Sequence, residues 1–183
     1  MRRTIAVTLS VLLWTFAGCE PGDGGSRTAD EEFQRGEDFA LGHGVDKNPR
    51  EAVEWYKKAA DRGHPTAQAR LAVCYSQGKG VKKNPTEALR LFKLAAEQGQ
   101  PKAQLELGLA YRDGRGVPQD HVQAAAWLML SANFGSRIAK FMSTKLIAQM
   151  TEKQLDEARG IAHRWRAAHY SSRAGNAESP RGG

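Results

Sequence analysis

AQARLAVCYSQGKGVKKNPTEALRLFKLAAEQGQP, residues 67–101, decides the fold, because the same pattern stands on either side of it at a fixed spacing of 36 residues. Gly44, Gly80 and Gly116 share that spacing, as do Gly42, Gly78 and Gly114, and Val45, Val81 and Val117. So do Ala52, Ala88 and Ala124, then Ala60, Ala96 and Ala132, and Gly63, Gly99 and Gly135. One register that aligns glycines, alanines and bulky residues over three copies marks stacked units, none of which can bury its apolar face alone.

Each copy reads as a pair of helices. Ala67, Leu71 and Tyr75 fall at i, i+4 and i+8, one stripe of an amphipathic helix, and Ala103, Leu107 and Tyr111 repeat it. Gly78 stops that helix, and Gly80 with Val81 turns the chain back. Asn48-Pro49-Arg50-Glu51, Asn84-Pro85-Thr86-Glu87 and Asp120-His121-Val122-Gln123 each place a capping side chain three residues before a Glu or Gln, so three capping boxes are expected to open the second helices. Inside them small residues such as Ala52, Ala59 and Ala60 alternate with one bulky position held by Tyr56, Phe92 and Leu128, as close packing of helices requires. The fold class predicted is all-α, an α/α solenoid of helical hairpins.

The pattern A-x-x-x-L-[AG]-x-x-Y-x-x-G-x-G-V, followed by A-x-x-[WL] and A-A-x-x-G, resembles the Sel-one-like repeat, a relative of the tetratricopeptide repeat. The resemblance covers about residues 30–135, and the segment out to about His169 looks like the family's closing helices. The first copy departs from it, with Arg35 where the others have Leu71 and Leu107, and Phe39 where they have tyrosine; it reads as an N-terminal cap. The boundaries expected are repeats at about residues 31–66, 67–102 and 103–138, then closing helices over 139–169. The latter include a helix opened by Thr151-Glu152-Lys153-Gln154, whose apolar face (Leu155, Ala158, Ala162, Trp165) covers the end of the stack and whose last turns carry Arg164, Arg166 and His169. Residues 170–183, polar and glycine-rich, are expected to be disordered.

The chain opens with Arg2 and Arg3, an apolar run from Ile5 to Phe16, and Phe16-Ala17-Gly18-Cys19. The run is too short to span a bilayer and reads as an export signal over residues 1–18. Its ending resembles a bacterial lipoprotein signal, which implies an acylated Cys19 as the mature N-terminus; ordinary cleavage, or none, is the alternative. Acyl chains contribute about 0.8 kcal/mol per buried methylene, so several hold a protein at a membrane. Glu20 after the cysteine points to the outer membrane, facing the periplasm. Residues 19–28, with three glycines, read as a tether. The formal net charge of +7 includes two arginines in the signal. The remaining excess is modest and spread along the helices, which argues for a solvated face and, with export, against nucleic acid as a partner. Acylation of Cys19 would leave Cys74 the sole thiol, a packing residue by its place in the repeat.

No catalytic constellation emerges, and the chain is read as no enzyme. Ser76-Gln77-Gly78-Lys79 has the S-x-x-K spacing of penicillin-recognising enzymes, and Ser131-Ala132-Asn133 resembles their S-x-N. Yet Ser76 falls at the end of a helix, whereas those enzymes activate a serine at a helix start, and no K-T-G occurs. The histidines lack metal spacing, and the G-x-G turns join two helices rather than a strand and a helix, so no metal, cofactor or small-molecule substrate is expected. By resemblance to tetratricopeptide helices, the binding positions are Glu37, Thr66, Val73, Gln77, Lys102, Leu105, Leu109, Arg112 and Asp113. Val73, Leu105 and Leu109 then form an apolar strip beside Lys102 and Arg112, a groove for a peptide with acidic flanks, unless those side chains pack on the neighbouring repeat. The expected function is that of a membrane-tethered scaffold binding another protein of the cell envelope. The alternatives are β-lactam or peptidoglycan hydrolysis, proposed for cysteine-rich relatives, and non-catalytic binding of an envelope polymer.

Overall fold

The computed structural model describes residues 27–177; the segment expected to be an export signal, Cys19, most of the expected tether and the last six residues lie outside them. Every regular element among the described residues is a helix. In order they are α1 (Ala29–Leu41), α2 (Pro49–Asp61), α3 (Pro65–Gln77), α4 (Pro85–Glu97), α5 (Pro101–Asp113), α6 (His121–Asn133), α7 (Arg137–Ile147) and α8 (Glu152–Ala177). The starts of α1, α3, α5 and α7 keep the 36-residue spacing, as do those of α2, α4 and α6. Three hairpins and a fourth first-position helix therefore stack in sequence, each helix packed on its neighbours in the chain.

Within a hairpin the two helices approach closely because one presents almost no side chain. A Cβ on Gly36 would meet the Tyr56 ring at 2.6 Å, and one on Gly108 would meet Leu128 Cγ at 2.8 Å. Ala72 fills the same position in the middle repeat and is fully buried. Tyr56, Phe92 and Leu128 are all buried, the large partners of this small-against-large arrangement.

The capping of the second helices differs from the sequence expectation. Asn48, Asn84 and Asp120 do accept from the backbone N–H groups of Glu51, Glu87 and Gln123 at 3.3, 3.1 and 2.9 Å. The reciprocal half of the box is missing, because the N–H of each cap already donates to a carbonyl at the end of the preceding helix. Asn48 bonds Phe39, Asn84 bonds Tyr75 and Asp120 bonds Tyr111, each at 2.9 Å. Those three bonds close the hairpins and release the Glu51, Glu87 and Gln123 side chains, so that Glu87 pairs with Arg90 instead. Complete capping boxes stand at Thr28 with Glu31 and at Thr151 with Gln154.

The closing helix also departs from expectation. It packs back along α6, with Ala158 and Ala162 buried and Trp165 edge-on to Trp127, and leaves the outer side of α7 open. It does not stop near His169 but continues through Ala177, so residues 170–177 are helical rather than a disordered tail. Elongating an existing helix requires no new nucleus, and no proline interrupts the run. Arg164, Arg166 and His169 thus lie inside the helix, where the His169 ring stacks on Trp165 at 4.2 Å.

A polar ladder ties hairpin to hairpin. The Gln68 amide donates to Ala60 O and the Gln104 amide to Ala96 O, both at 3.3 Å. Gln98 donates to Gln68 Oε1 at 2.8 Å, and one repeat earlier Arg62 pairs with the buried Glu32. In the third repeat the donor's place is taken by Phe134, which has no hydrogen to give, and Gln104 Oε1 is buried without a partner.

Two stability measurements check this account. Gly44 and Gly80 both adopt a left-handed conformation, with φ of 70° and 73°, but a Cβ on Gly44 meets nothing whereas one on Gly80 collides with the Pro49 carbonyl of the preceding repeat. In urea unfolding, Gly44→Ala is expected to cost about 1–2 kcal/mol for the backbone alone and Gly80→Ala distinctly more. Phe134→Gln is expected to stabilise by about 1 kcal/mol, because it restores the donor to Gln104 while removing a side chain that is 42% exposed.

Candidate functional site

Helices α1, α3, α5 and α7 hold equivalent places, and three clefts open between successive members. The first, about 130 Å³, is lined by residues including Glu37, Tyr56, Arg70, Val73 and Cys74. The second, about 370 Å³, includes Ser76, Phe92, Glu106, Ala110 and Arg115. The third, about 410 Å³, includes Arg112, Asp113, Phe141, Met142, Lys145 and Leu146. They are one site repeated: Arg70, Glu106 and Met142 occupy a single position, as do Cys74, Ala110 and Leu146. Their walls are made wherever a first-position helix turns side chains away from its own hairpin, so the 36-residue register that builds the stack also builds the clefts.

The predicted binding residues divide into three groups. Gln77 and Lys102 are exposed on this face, and Thr66 is half-buried. Val73 packs against the core of the first repeats, and Leu105 and Leu109 pack against the cluster formed with α6, α7 and α8, all three remaining half-buried. The packing alternative therefore accounts for much of their surface.

Glu37, Arg112 and Asp113 are committed to internal partners. Tyr56 OH donates to Glu37 Oε1 at 2.5 Å, and Arg70 Nη2 donates to Glu37 Oε2 at 2.9 Å, bridging α1 and α3. Burial, reinforced by that carboxylate, pushes the Tyr56 phenol far above its ordinary range. Arg112 holds Asp113 through two hydrogen bonds of 2.6 and 3.0 Å and touches Met142 Sδ at 3.3 Å. These bonds depress the Asp113 carboxyl below its usual range. What they contribute is present above the unfolded carboxylate's titration and is lost as pH falls through the folded one.

One part of the face escaped sequence reasoning. The positions of Lys102, Leu105 and Leu109 continue, 36 residues on, to Ile138, Phe141 and Lys145 of α7. Ile138 is 61% exposed and Phe141 68%, the highest values among the described large apolar side chains. Ala139 in register was the available signal, but Ser143 in the leucine position and the loss of G-x-G-V hid α7 as a fourth first-position helix.

The serine-lysine spacing is held in an unsuitable place. Ser76 Oγ donates to Val73 O at 2.9 Å in the last turn of α3, where carbonyl groups gather, and Lys79 lies beyond the helix end on an exposed turn. Cys74 is buried, and burial pushes its thiol up, away from the reactive thiolate. Among the described residues, no group of three or more His, Cys, Asp or Glu side chains is placed to hold a metal ion, and no helix is long and apolar enough to cross a membrane.

The family model of the Sel1 repeat matches residues 36–64, 65–100 and 101–133, more than half of the chain. Among solved structures, a Sel1 repeat protein from Oxalobacter formigenes is similar at 33% identity and TM-score 0.59, over 61% of this chain and 46% of that one. A protective antigen present in uropathogenic Escherichia coli strains and displaying an SLR fold is similar at 26% identity and TM-score 0.64, over 85% of this chain and 41% of that one. The chain thus spans less than half the length of either. No curated protein matches it.

Glu37→Ala is expected to lower stability by about 1–3 kcal/mol, because it leaves the buried Tyr56 hydroxyl without an acceptor. Adding Tyr56→Phe should recover part of the loss, and a double-mutant cycle in urea measures the coupling.

Proposed function

The chain belongs to the Sel1 repeat family, whose members are generally non-catalytic scaffolds for protein interaction, and from that premise we propose that it is an adaptor holding a partner protein of the bacterial cell envelope near a membrane. The observation that carries this reading is the row of three register-related clefts along α1, α3, α5 and α7. A repeated row of clefts suits an extended or helical segment of another chain better than a compact small molecule, since contacts can recur at each repeat. Exposed Gln77 and Lys102 stand beside half-buried apolar side chains, which supplies hydrogen bonding and charge next to surface that a partner can dehydrate.

The membrane tether is the second part of the proposal and rests on the sequence of residues 1–19 alone. An acyl-modified Cys19 followed by a glycine-rich connection would hold the helical stack at the lipid surface while leaving its clefts accessible.

Photo-crosslinking side chains placed at Gln77 and Lys102, and at Glu54 and Lys93 on the exposed side of the second-position helices, test the binding face in intact cells. The same discrete partner should be captured from Gln77 and Lys102 and not from Glu54 or Lys93; the reverse pattern would overturn the choice of face. Cys19→Ser should move the protein from the membrane to the soluble fraction. Retention at the membrane would count against the lipid anchor.

A further inference from the structure

The end of the groove at α7 differs from the rest in two respects that act together. Ile138 and Phe141, one turn apart, project from the helix with most of their surface in solvent. Phe141 belongs both to the 410 Å³ cleft beside Arg112 and to a broad hollow of about 700 Å³ that includes Ile138. Along α3 and α5 the apolar side chains of this face are at least half-buried against neighbours, and Leu41 at the far end of α1 stands exposed singly; here α8 has turned back along α6 and nothing among the described residues covers the pair.

The unpaired charge on this helix is of one sign. Arg137, Lys140 and Lys145 are exposed on the same helix, and none has a carboxylate partner among the described residues. No acid occurs in α7, and between Arg115 and Thr151 the only acidic residue is Asp120, engaged as the cap of α6. The acid nearest in the cleft lining, Asp113, is occupied by Arg112 and Arg115. An exposed aromatic with unpaired cations on either side, Arg137 in the hollow and Lys145 in the cleft, is matched by an apolar side chain carried between carboxylates.

We propose that the α7 end of the groove is the anchoring point for an acidic segment of a partner protein. One bulky apolar side chain of that segment seats on Ile138 and Phe141, and its flanking carboxylates face Arg137, Lys140 and Lys145. The proposal rests on the reading that this face binds protein and names the chemistry of what it binds. A lipid surface is the poorer match, since two exposed apolar side chains beside a recessed cleft offer no continuous face to insert.

The test uses the purified protein and a fluorescein-labelled peptide in which aspartates flank a central Leu-Phe pair, read by fluorescence polarisation. Control peptides carry serines in place of the aspartates or of the Leu-Phe pair. Phe141→Ser should weaken binding at least about tenfold, Lys140→Glu with Lys145→Glu should do the same, and added salt should weaken it further. Because these side chains are exposed, helical circular dichroism and melting should stay unchanged; if Phe141→Ser unfolds the protein, Ile138→Ser supplies the apolar test in its place. Undiminished binding by folded variants, equal binding of either control peptide, or binding to anionic vesicles but not to the peptide would overturn the proposal. If the peptide fails while cellular crosslinks still map to Gln77 and Lys102, this anchoring point is wrong and the groove stands; if those crosslinks fail as well, both readings fall.

Discussion

Close approach of the two helices within each hairpin is the constraint from which the remaining structure follows. Gly36, Ala72 and Gly108 leave room for Tyr56, Phe92 and Leu128 to lie against the opposing backbone, and that contact fixes how each pair is set. Once the pair is set, the end of the first helix is brought to the start of the second. The carbonyls of Phe39, Tyr75 and Tyr111 then accept the N–H groups of Asn48, Asn84 and Asp120. The turn between them is forced into left-handed glycine conformations, and Gly80 in particular has no space for a side chain because the preceding repeat's Pro49 backbone lies against it. Packing between repeats therefore selects the glycine, and the glycine in turn permits the packing.

Departures from the repeat are concentrated at its two ends, and each has a local physical consequence. At the N-terminal end Arg35 replaces the core leucine and remains exposed over the Phe39 ring at 5.2 Å, so a charged side chain stands where an apolar one would be left in solvent. At the C-terminal end Phe134 interrupts the polar ladder that Glu32 with Arg62 and Gln68 with Gln98 maintain upstream. The helix that follows α7 then folds back along α6, where the Trp127 and Trp165 rings meet edge to face with centroids 6.4 Å apart. Burying those aromatics on the inner helix leaves the last first-position helix with a bare side.

That uneven finish shapes the row of clefts. The first cleft is small and spanned by the Glu37, Tyr56 and Arg70 network, which uses its polar groups for internal cohesion. Toward α7 the clefts widen, the one acid in the last of them is held by Arg112 and Arg115, and apolar and cationic side chains of α7 are left facing solvent together. A partner running along the groove would thus meet a closed end and an open one, and orientation follows from that asymmetry without any change in the repeating backbone.

The spacing of 36 residues, the glycine turns and the alternation of small and large residues by themselves determined a helical hairpin repeat, because each reports a local backbone or packing need that any stack of such pairs shares. The starts of α3 and α5 were less legible: His64 and Gln100 cap them through Nδ1 and Oε1, residue types that seldom announce a helix. Which acids would complete a capping box could not be read either, since the competing donors come from the end of another helix. Glu37 gives the same lesson in the site. Its position marks it as groove-facing, yet only the assembled fold brings Tyr56 and Arg70 within hydrogen-bonding distance and takes its carboxylate out of use. The tertiary structure alone decided that α8 lies on α6, and hence that Ile138 and Phe141 are exposed, because covering one helix rather than another depends on distant side chains meeting in space.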